Sequence, residues 1–462
     1  MLLNKIIKIV FLQINFKLSK KIELDTLTLI INQLIDPLEW VMLVLIIGGG
    51  LFLLYDSKGF SLKKIQKGFH LLFKSNSEKG ISRFEALSAV LASTVGLGNI
   101  SGVAIAIHMG GPGVLVWMWV TAILGSVIKF YSCALSVKLR QKESNGDPLG
   151  GPMYYMTIGI PKFGKFLANW FCIAALFGVL PAFTANQLTQ TVVQVIYPQG
   201  NSAVDSLIYK SSFGVLLILV SGWVILGGLK KIVKTTSKLV PLMVILYLFM
   251  GGWVVLDNFS QISNAVKSII FSAFDFKTMY VGGFWGLVLL GIRRAVFSNE
   301  SGIGNAPMYH GQSQSKNPIN EGLVASLGPL LDTILVCSIT GIVIIISGSH
   351  LDTNLNGILL TLESFNRLFY GLGDIFLVIM VIVFGLTTLF TYSYYGVKCL
   401  DFLTRKKYGF VYNYIYLTSI FFCAISSVSF VISLIDLSFA LMAIPNMISV
   451  IYLSKIVKQE IP

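Results

Sequence analysis

Charge is scarce in this chain of 462 residues: 12% are Asp, Glu, Lys or Arg, while 55% are hydrophobic. A soluble domain carries roughly 25% charged residues, so a soluble enzyme or signalling domain is excluded. There are four histidines and five cysteines (Cys133, Cys172, Cys337, Cys399, Cys423), with no CxxC pair and no histidine at ligand spacing. Neither a disulfide framework nor a zinc centre is indicated. A phosphate loop is lacking too, because the near match from Gly159 ends in Phe166 where magnesium would need Ser or Thr. Acidic residues are outnumbered 21 to 35, but the basic ones are scattered among apolar runs instead of forming a nucleic-acid stripe.

Long apolar runs are what the chain does have, and about 20 such residues cross a bilayer. Runs near 38–55, 86–107, 113–137, 166–197, 212–229, 239–256, 281–306, 323–347, 374–397, 411–432 and 437–454 predict an all-α polytopic membrane protein with eleven transmembrane helices. If the loop after the first span is inside, inner segments hold 23 Lys+Arg and outer ones 9, with Lys129, Arg293 and Arg294 within spans. That bias predicts a multi-pass protein of the cell (plasma or inner) membrane, N-terminus outside and C-terminal tail 455–462 in the cytoplasm. The discord is the tail 1–37, whose lysines alternate with Ile and Leu like an amphipathic surface helix.

Setting 38–55 aside as an extra helix leaves ten spans, five in 86–256 and five in 281–454. An odd number per half makes the second half an inverted repeat of the first, a 5+5 organisation common among secondary transporters. Both halves open on an interrupted span. Residues 92–102, Ala-Ser-Thr-Val-Gly-Leu-Gly-Asn-Ile-Ser-Gly, place three glycines and Asn99 in mid-span. Residues 297–307 hold two glycines, Pro307 and Glu300, a carboxylate that needs a partner or water. Arg293 and Arg294, one to two turns earlier, are candidate partners. Unwound backbone at membrane depth survives only where protein or water satisfies it, so paired breaks point to a transport site.

A helix restarting after a break presents free N–H groups and partial positive charge, while the preceding half leaves free carbonyls. The amides of Leu97 and Gly98 therefore suit a carboxylate, with glycine allowing close approach. The carbonyls of Ala92, Thr94 and Val95, with the Asn99 side chain, suit a hard monovalent cation. Thr387, Thr388, Thr391 and Ser393 form a hydroxyl cluster that could complete a sodium shell with the Phe384 carbonyl. Bonding back to their own helix is the plainer role for such hydroxyls. Asn186, Gln187, Thr189 and Gln190, after a kink at Pro181, are candidates for the pocket wall. A zwitterionic amino acid with Na⁺ satisfies both ends of the first break.

Ordered motifs from about Ser82 to Lys455 resemble the alanine or glycine:cation symporter family, the sodium:alanine symporters. They include Val95-Gly-Leu-Gly-Asn-Ile-Ser-Gly-Val-Ala104, Gly110-Gly-Pro-Gly113, Lys129-Phe130, Gly150-Gly-Pro-Met-Tyr-Tyr155, Val296-Phe-Ser-Asn-Glu-Ser-Gly302, Leu331-Asp-Thr333 and Tyr392-Ser-Tyr-Tyr-Gly396. The resemblance implies the ten-helix inverted-repeat core shared with neurotransmitter:sodium symporters, preceded by one extra helix. It implies sodium-driven import of a small neutral amino acid, alanine or glycine, by alternating access, with Na⁺ as coupling ion and no other cofactor.

Carried over by position, Thr94, Gly96, Leu97, Gly98, Asn186, Gln187, Phe297, Ser298, Asn299 and Ser301 face the substrate. Ala92, Val95, Phe384, Thr387 and Thr388 form the sodium site, and Thr94, Asn99 and Ser298 a second one. Arg293, Arg294, Glu300, Met308 and Tyr309 are structural or gating candidates. After the second break, Ser301, Asn305 and Met308-Tyr309-His310 stand where the family has smaller residues. Proton coupling, or an uncoupled channel or sensor on the same fold, is the alternative. No enzyme is expected, since Glu300 lacks a His or second acid at catalytic spacing. Partners are the amino acid, Na⁺ and the bilayer, with the chain taken as a monomer.

Overall fold

In the computed structural model, residues 31, 33, 35, 37–74, 80–142, 146–196, 203–274, 283–369 and 373–462 are described, so the amphipathic tail expected at 1–37 falls mostly outside them. The described chain is built from helices, with one short hairpin in which Gln141–Lys142 pairs antiparallel with Pro148–Leu149. In order, the helices are α1 (Pro37–Asp56), α2 (Ile65–Leu72), α3 (Arg83–Thr94), α4 (Gly98–Gly110), α5 (Val114–Lys138) and α6 (Pro152–Gly159). Next come α7 (Gly164–Gly178), α8 (Ala182–Ile196), α9 (Ala203–Ile225), α10 (Gly228–Asp257), α11 (Phe259–Ser272) and α12 (Gly283–Asn299). The last are α13 (Ala306–His310), α14 (Pro318–Ile346), α15 (Gly357–Leu368), α16 (Gly373–Leu403), α17 (Val411–Ile425) and α18 (Val428–Tyr452).

Among the described residues, eight helices are long and apolar enough to cross a membrane alone, and the bent pair α3 and α4 makes a ninth. Several predicted boundaries move. The loop expected at 230–238 is the first part of α10, since nothing in Lys230 to Lys238 breaks a helix after Gly228. The spans expected at 411–432 and 437–454 divide instead at Ser426 and Ser427, both extended, with ψ of 164° and 146°. Large apolar side chains such as Leu219, Trp223, Phe249 and Trp253 project outward, as a lipid-facing surface requires.

Local chemistry sets the breaks. Ser82 and Glu85 form a reciprocal capping box that starts α3. At its end Val95 leaves helical space with ψ of 87°, and the chain bends by 50° before α4. In the second half, Glu300, Gly302 and Gly304 take φ of 54°, 83° and 106°. Left-handed backbone stops a right-handed helix, and a non-glycine residue there is strained. Pro307 then starts α13, where a missing N–H costs nothing. The start of α4 packs against α12 and the middle of α14, so the breaks meet inside the bundle.

Candidate functional site

The breaks line a small cavity of about 30 Å³. Thr94, Gly96, Leu97 and Gly98 line it from the first break, Phe297 from the second, and Thr388 from α16. Sequence reasoning missed the rest of its wall: Ser93, Gly178, Leu180, Phe183, Thr184, Tyr392, Ile435 and Phe439. The Phe297 ring is fixed edge-on by Phe183 at 4.8 Å and flanked by Phe439 at 6.0 Å. A Cβ on Gly98 would sit 3.3 Å from Phe297 Cε1, so only glycine leaves the backbone clear there.

Beside this cavity Thr388 joins two helices. Its Oγ1 donates to the carbonyls of Ala92 at 3.1 Å and Phe384 at 3.0 Å. A Cβ on Gly96 would be 2.7 Å from that hydroxyl, so the broken segment is pressed against it. Three hard oxygens from α3 and α16 therefore converge where a sodium shell was expected. The neighbouring Thr387 hydroxyl donates to the same Phe384 carbonyl at 2.9 Å and lies 3.6 Å from Met243 Sδ.

Asp332, fully buried in α14, centres a second cluster. Its Oδ1 accepts from Asn99 Nδ2 at 2.6 Å, and its Oδ2 accepts from Ser298 Oγ and Thr333 Oγ1, each at 2.8 Å. Both breaks thus close on one carboxylate. The Asn99 amide oxygen, meanwhile, accepts from the Gly96 N–H at 2.9 Å. Thr94 does not join this cluster, because its hydroxyl donates to Val90 O at 3.0 Å within its own helix. A lone acid in the apolar run 323–347 was the available signal for Asp332.

Other expected contacts go elsewhere. Asn186 donates to Ser426 O at 2.7 Å, tying α8 to the end of α17. Gln187 accepts from Ser101 Oγ at 2.8 Å and lines a separate, larger cavity with Arg293, Arg294 and Asp436. Asn299 donates to Thr333 Oγ1 at 3.0 Å, on the α14 side of the break. Ser301 is packed on Gly125 of α5. The arginines do not serve Glu300: Arg293 pairs with Glu39 of α1, and Arg294 lies 3.7 Å from Asp436 of α18. Six or seven residues of helix separate them from the break, which carries their side chains beyond its level. Glu300 is instead bonded by the Tyr392 hydroxyl.

Below the breaks, Met308 and Tyr309 are buried, Tyr309 stacking on Tyr394 at 4.8 Å and donating to Thr391 O at 2.9 Å. Next to them Glu321 of α14 lies 2.7 Å from His310 Nδ1 and 3.5 Å from Arg83 Nε. One carboxylate thereby fastens the first turn of α3 to the end of α13.

The chain is similar to known proteins along most of its length. A family profile described as the sodium:alanine symporter family matches residues 24–462. The chain is 36% identical to the sodium/alanine symporter AgcS of Methanococcus maripaludis, covering 91% of this chain and 93% of that protein. It is 32% identical to the probable sodium/glutamine symporter GlnT of Bacillus subtilis, covering 91% and 87%. Among solved structures, MhsT in complex with L-phenylalanine superposes with a TM-score of 0.54 at 17% identity, over 84% of this chain and 99% of that one. That likeness gives the fold alone, a bundle of helices shared with MhsT.

Proposed function

Because this chain belongs to the sodium:alanine symporter family, a family of multi-pass amino-acid transporters, we propose that it imports a small neutral amino acid, alanine or glycine, driven by Na⁺. The carrying observation is the cavity between the breaks, where glycine backbone and Thr388 meet. The amides of Leu97 and Gly98 receive the substrate carboxylate. Ala92, Val95 and Phe384 carbonyls with the Thr388 hydroxyl coordinate Na⁺, Thr387 completing the shell after a rotamer change. Ser298 Oγ and the Asp332 carboxylate form the second cation site, with Asn99 Nδ2 holding Asp332 Oδ1 in place, and the Asp332 charge makes it the stronger one.

The relative named for glutamine shows that family membership alone does not choose the side chain. The aromatic wall of Phe183, Phe297 and Phe439 around a small cavity favours glycine or alanine. Alternating access opens this cavity to either side as the two broken helices move against the rest of the bundle. Na⁺ and amino acid strengthen each other's binding, because linkage is reciprocal.

The finer architecture belongs to the same proposal: eleven spans, with 38–55 as an extra helix before inverted repeats at 86–256 and 281–454. Helices α12 with α13, and α17, supply the two spans beyond the nine that stand on length and apolarity. The N-terminus lies outside, 455–462 in the cytoplasm, and the chain works as a monomer.

Purified protein in liposomes should accumulate alanine or glycine under an inward Na⁺ gradient, and glutamine poorly. Uptake unchanged when choline replaces Na⁺ refutes sodium coupling; if a proton gradient then drives it, the proton-coupled alternative takes its place. Tracer counterflow separates the remaining alternatives: equilibration without counterflow would indicate a channel, and binding without uptake a sensor.

A further inference from the structure

Lys129, in the middle of α5, is 1% exposed, and its ammonium has no hydrogen-bond partner among the described residues. It points toward α14, where a Cβ on Gly328 would be 3.5 Å from Nζ. One turn earlier on the same face, Gly125 receives Ser301 of the second break, so close that a Cβ there would meet Ser301 Cβ at 2.6 Å. Lys129 therefore stands at the level of the breaks, between α5, α14 and the unwound segment. The carboxylates whose charges reach it are Glu300 and Asp332.

Glu300 is itself unusual. It is buried, left-handed with φ of 54°, bonded by Tyr392 and with the Asn305 amide beside it. Strained non-glycine backbone and buried charge are both costly, and both gather where function requires them. With all three ionised, two carboxylates and one ammonium sum to a net charge of minus one in this part of the bundle. A single monovalent cation neutralises it, and a zwitterionic substrate adds nothing. Without Lys129 the same carboxylates would call for two monovalent cations or one divalent cation.

We propose that Lys129 is a tethered counter-cation that limits the Asp332 site to one monovalent cation and sets its sodium affinity. It is a positioning residue: it touches neither substrate nor ion and acts through the field of a low-dielectric core. The proposal rests on Asp332 being a cation ligand. Selectivity follows, since the ammonium's repulsion weighs twice as heavily on Ca²⁺ as on Na⁺.

The test titrates full-length protein with NaCl, choline chloride holding ionic strength, and reads thermal stability, because a ligand bound to the folded state raises it. Lys129→Met should lower the half-saturating Na⁺ concentration by on the order of tenfold. Glu300→Gln should raise it by a similar factor, and the double variant should return it to the unaltered value. A merely structural Lys129 would not be rescued by removing an acid. Shifts in the same direction, no shift in either variant, or a double variant that does not cancel overturns the proposal. If Lys129→Met gives no folded protein, Lys129→Gln takes its place in the same cycle with Glu300→Gln. Sodium-independent alanine uptake by the unaltered protein would count against the coupling reading, whereas this titration reads binding without transport.

Discussion

Replacing Gly98 by alanine tests whether substrate meets bare backbone at the first break. The added methyl carbon would lie 3.3 and 3.4 Å from two Phe297 ring carbons and 3.5 Å from Ser298 Cα. These approaches are short by a few tenths of an ångström, and the ring cannot retreat freely with Phe183 against it at 4.8 Å. Overpacking of this kind costs about 1–3 kcal/mol, here at the low end. Exchanging glycine for alanine in helical backbone returns roughly 0.5–1 kcal/mol, so folded stability should change little. Binding should not be spared. The methyl enters a cavity of about 30 Å³ and stands between a carboxylate and the Leu97 and Gly98 amides. A misfit of one methylene is worth about 1–3 kcal/mol, or roughly 10–200-fold. Sodium-driven alanine uptake in liposomes should therefore need a 10- to 200-fold higher half-saturating concentration, on the order set by that misfit. Gly102→Ala is the matched control, because its methyl would meet the Phe297 ring at ordinary contact, 3.8 and 4.0 Å. Unchanged alanine affinity in Gly98→Ala, or an equal loss in both variants, would refute the backbone contact.

Thr388→Ala removes the hydroxyl that reaches Ala92 O and Phe384 O, and should raise half-saturating Na⁺ about tenfold, the worth of one net hydrogen bond; Thr388→Ser should restore it. Asp332→Asn keeps the shape but removes the charge at the second cluster, so Na⁺ affinity measured by thermal titration should fall on the order of a hundredfold, and an unchanged titration curve excludes Asp332 as a ligand. Glu321→Gln takes the carboxylate from between Arg83 and His310; removing one partner of a buried pair costs about 3–5 kcal/mol, visible as a lowered melting temperature, and an unaltered melt would deny that the contact fastens α3 to α13.

The breaks were legible because they contradict their surroundings: Gly96, Gly98 and Asn99 interrupt an apolar run, and Glu300 with Gly302 and Gly304 does the same in the second half. Backbone chemistry is local, so sequence points to it directly. Helix ends were less legible. Lys230 to Lys238 looked like a loop by hydropathy, yet lysine is a good helix former and the segment simply begins α10.

Side-chain partners were the least legible, since they depend on which helices cross at which height. Arg293 and Arg294 are near Glu300 in sequence but serve α1 and α18. Asn186 was the expected pocket residue because it is polar in an apolar helix, whereas Phe183 and Thr184 of the same helix line the cavity. The polar residue ties helices together, as buried amides must find partners, and the apolar ring walls the cavity. Asp332 follows the opposite logic. A lone acid in an apolar span has no local explanation, and its three donors come from both breaks and its own helix. In such a chain, polar residues that can satisfy themselves within one or two helices hold the bundle together. Asp332, Glu300 and Lys129 differ from these because they carry formal charge into the core, which is costly to bury even when hydrogen bonds are made.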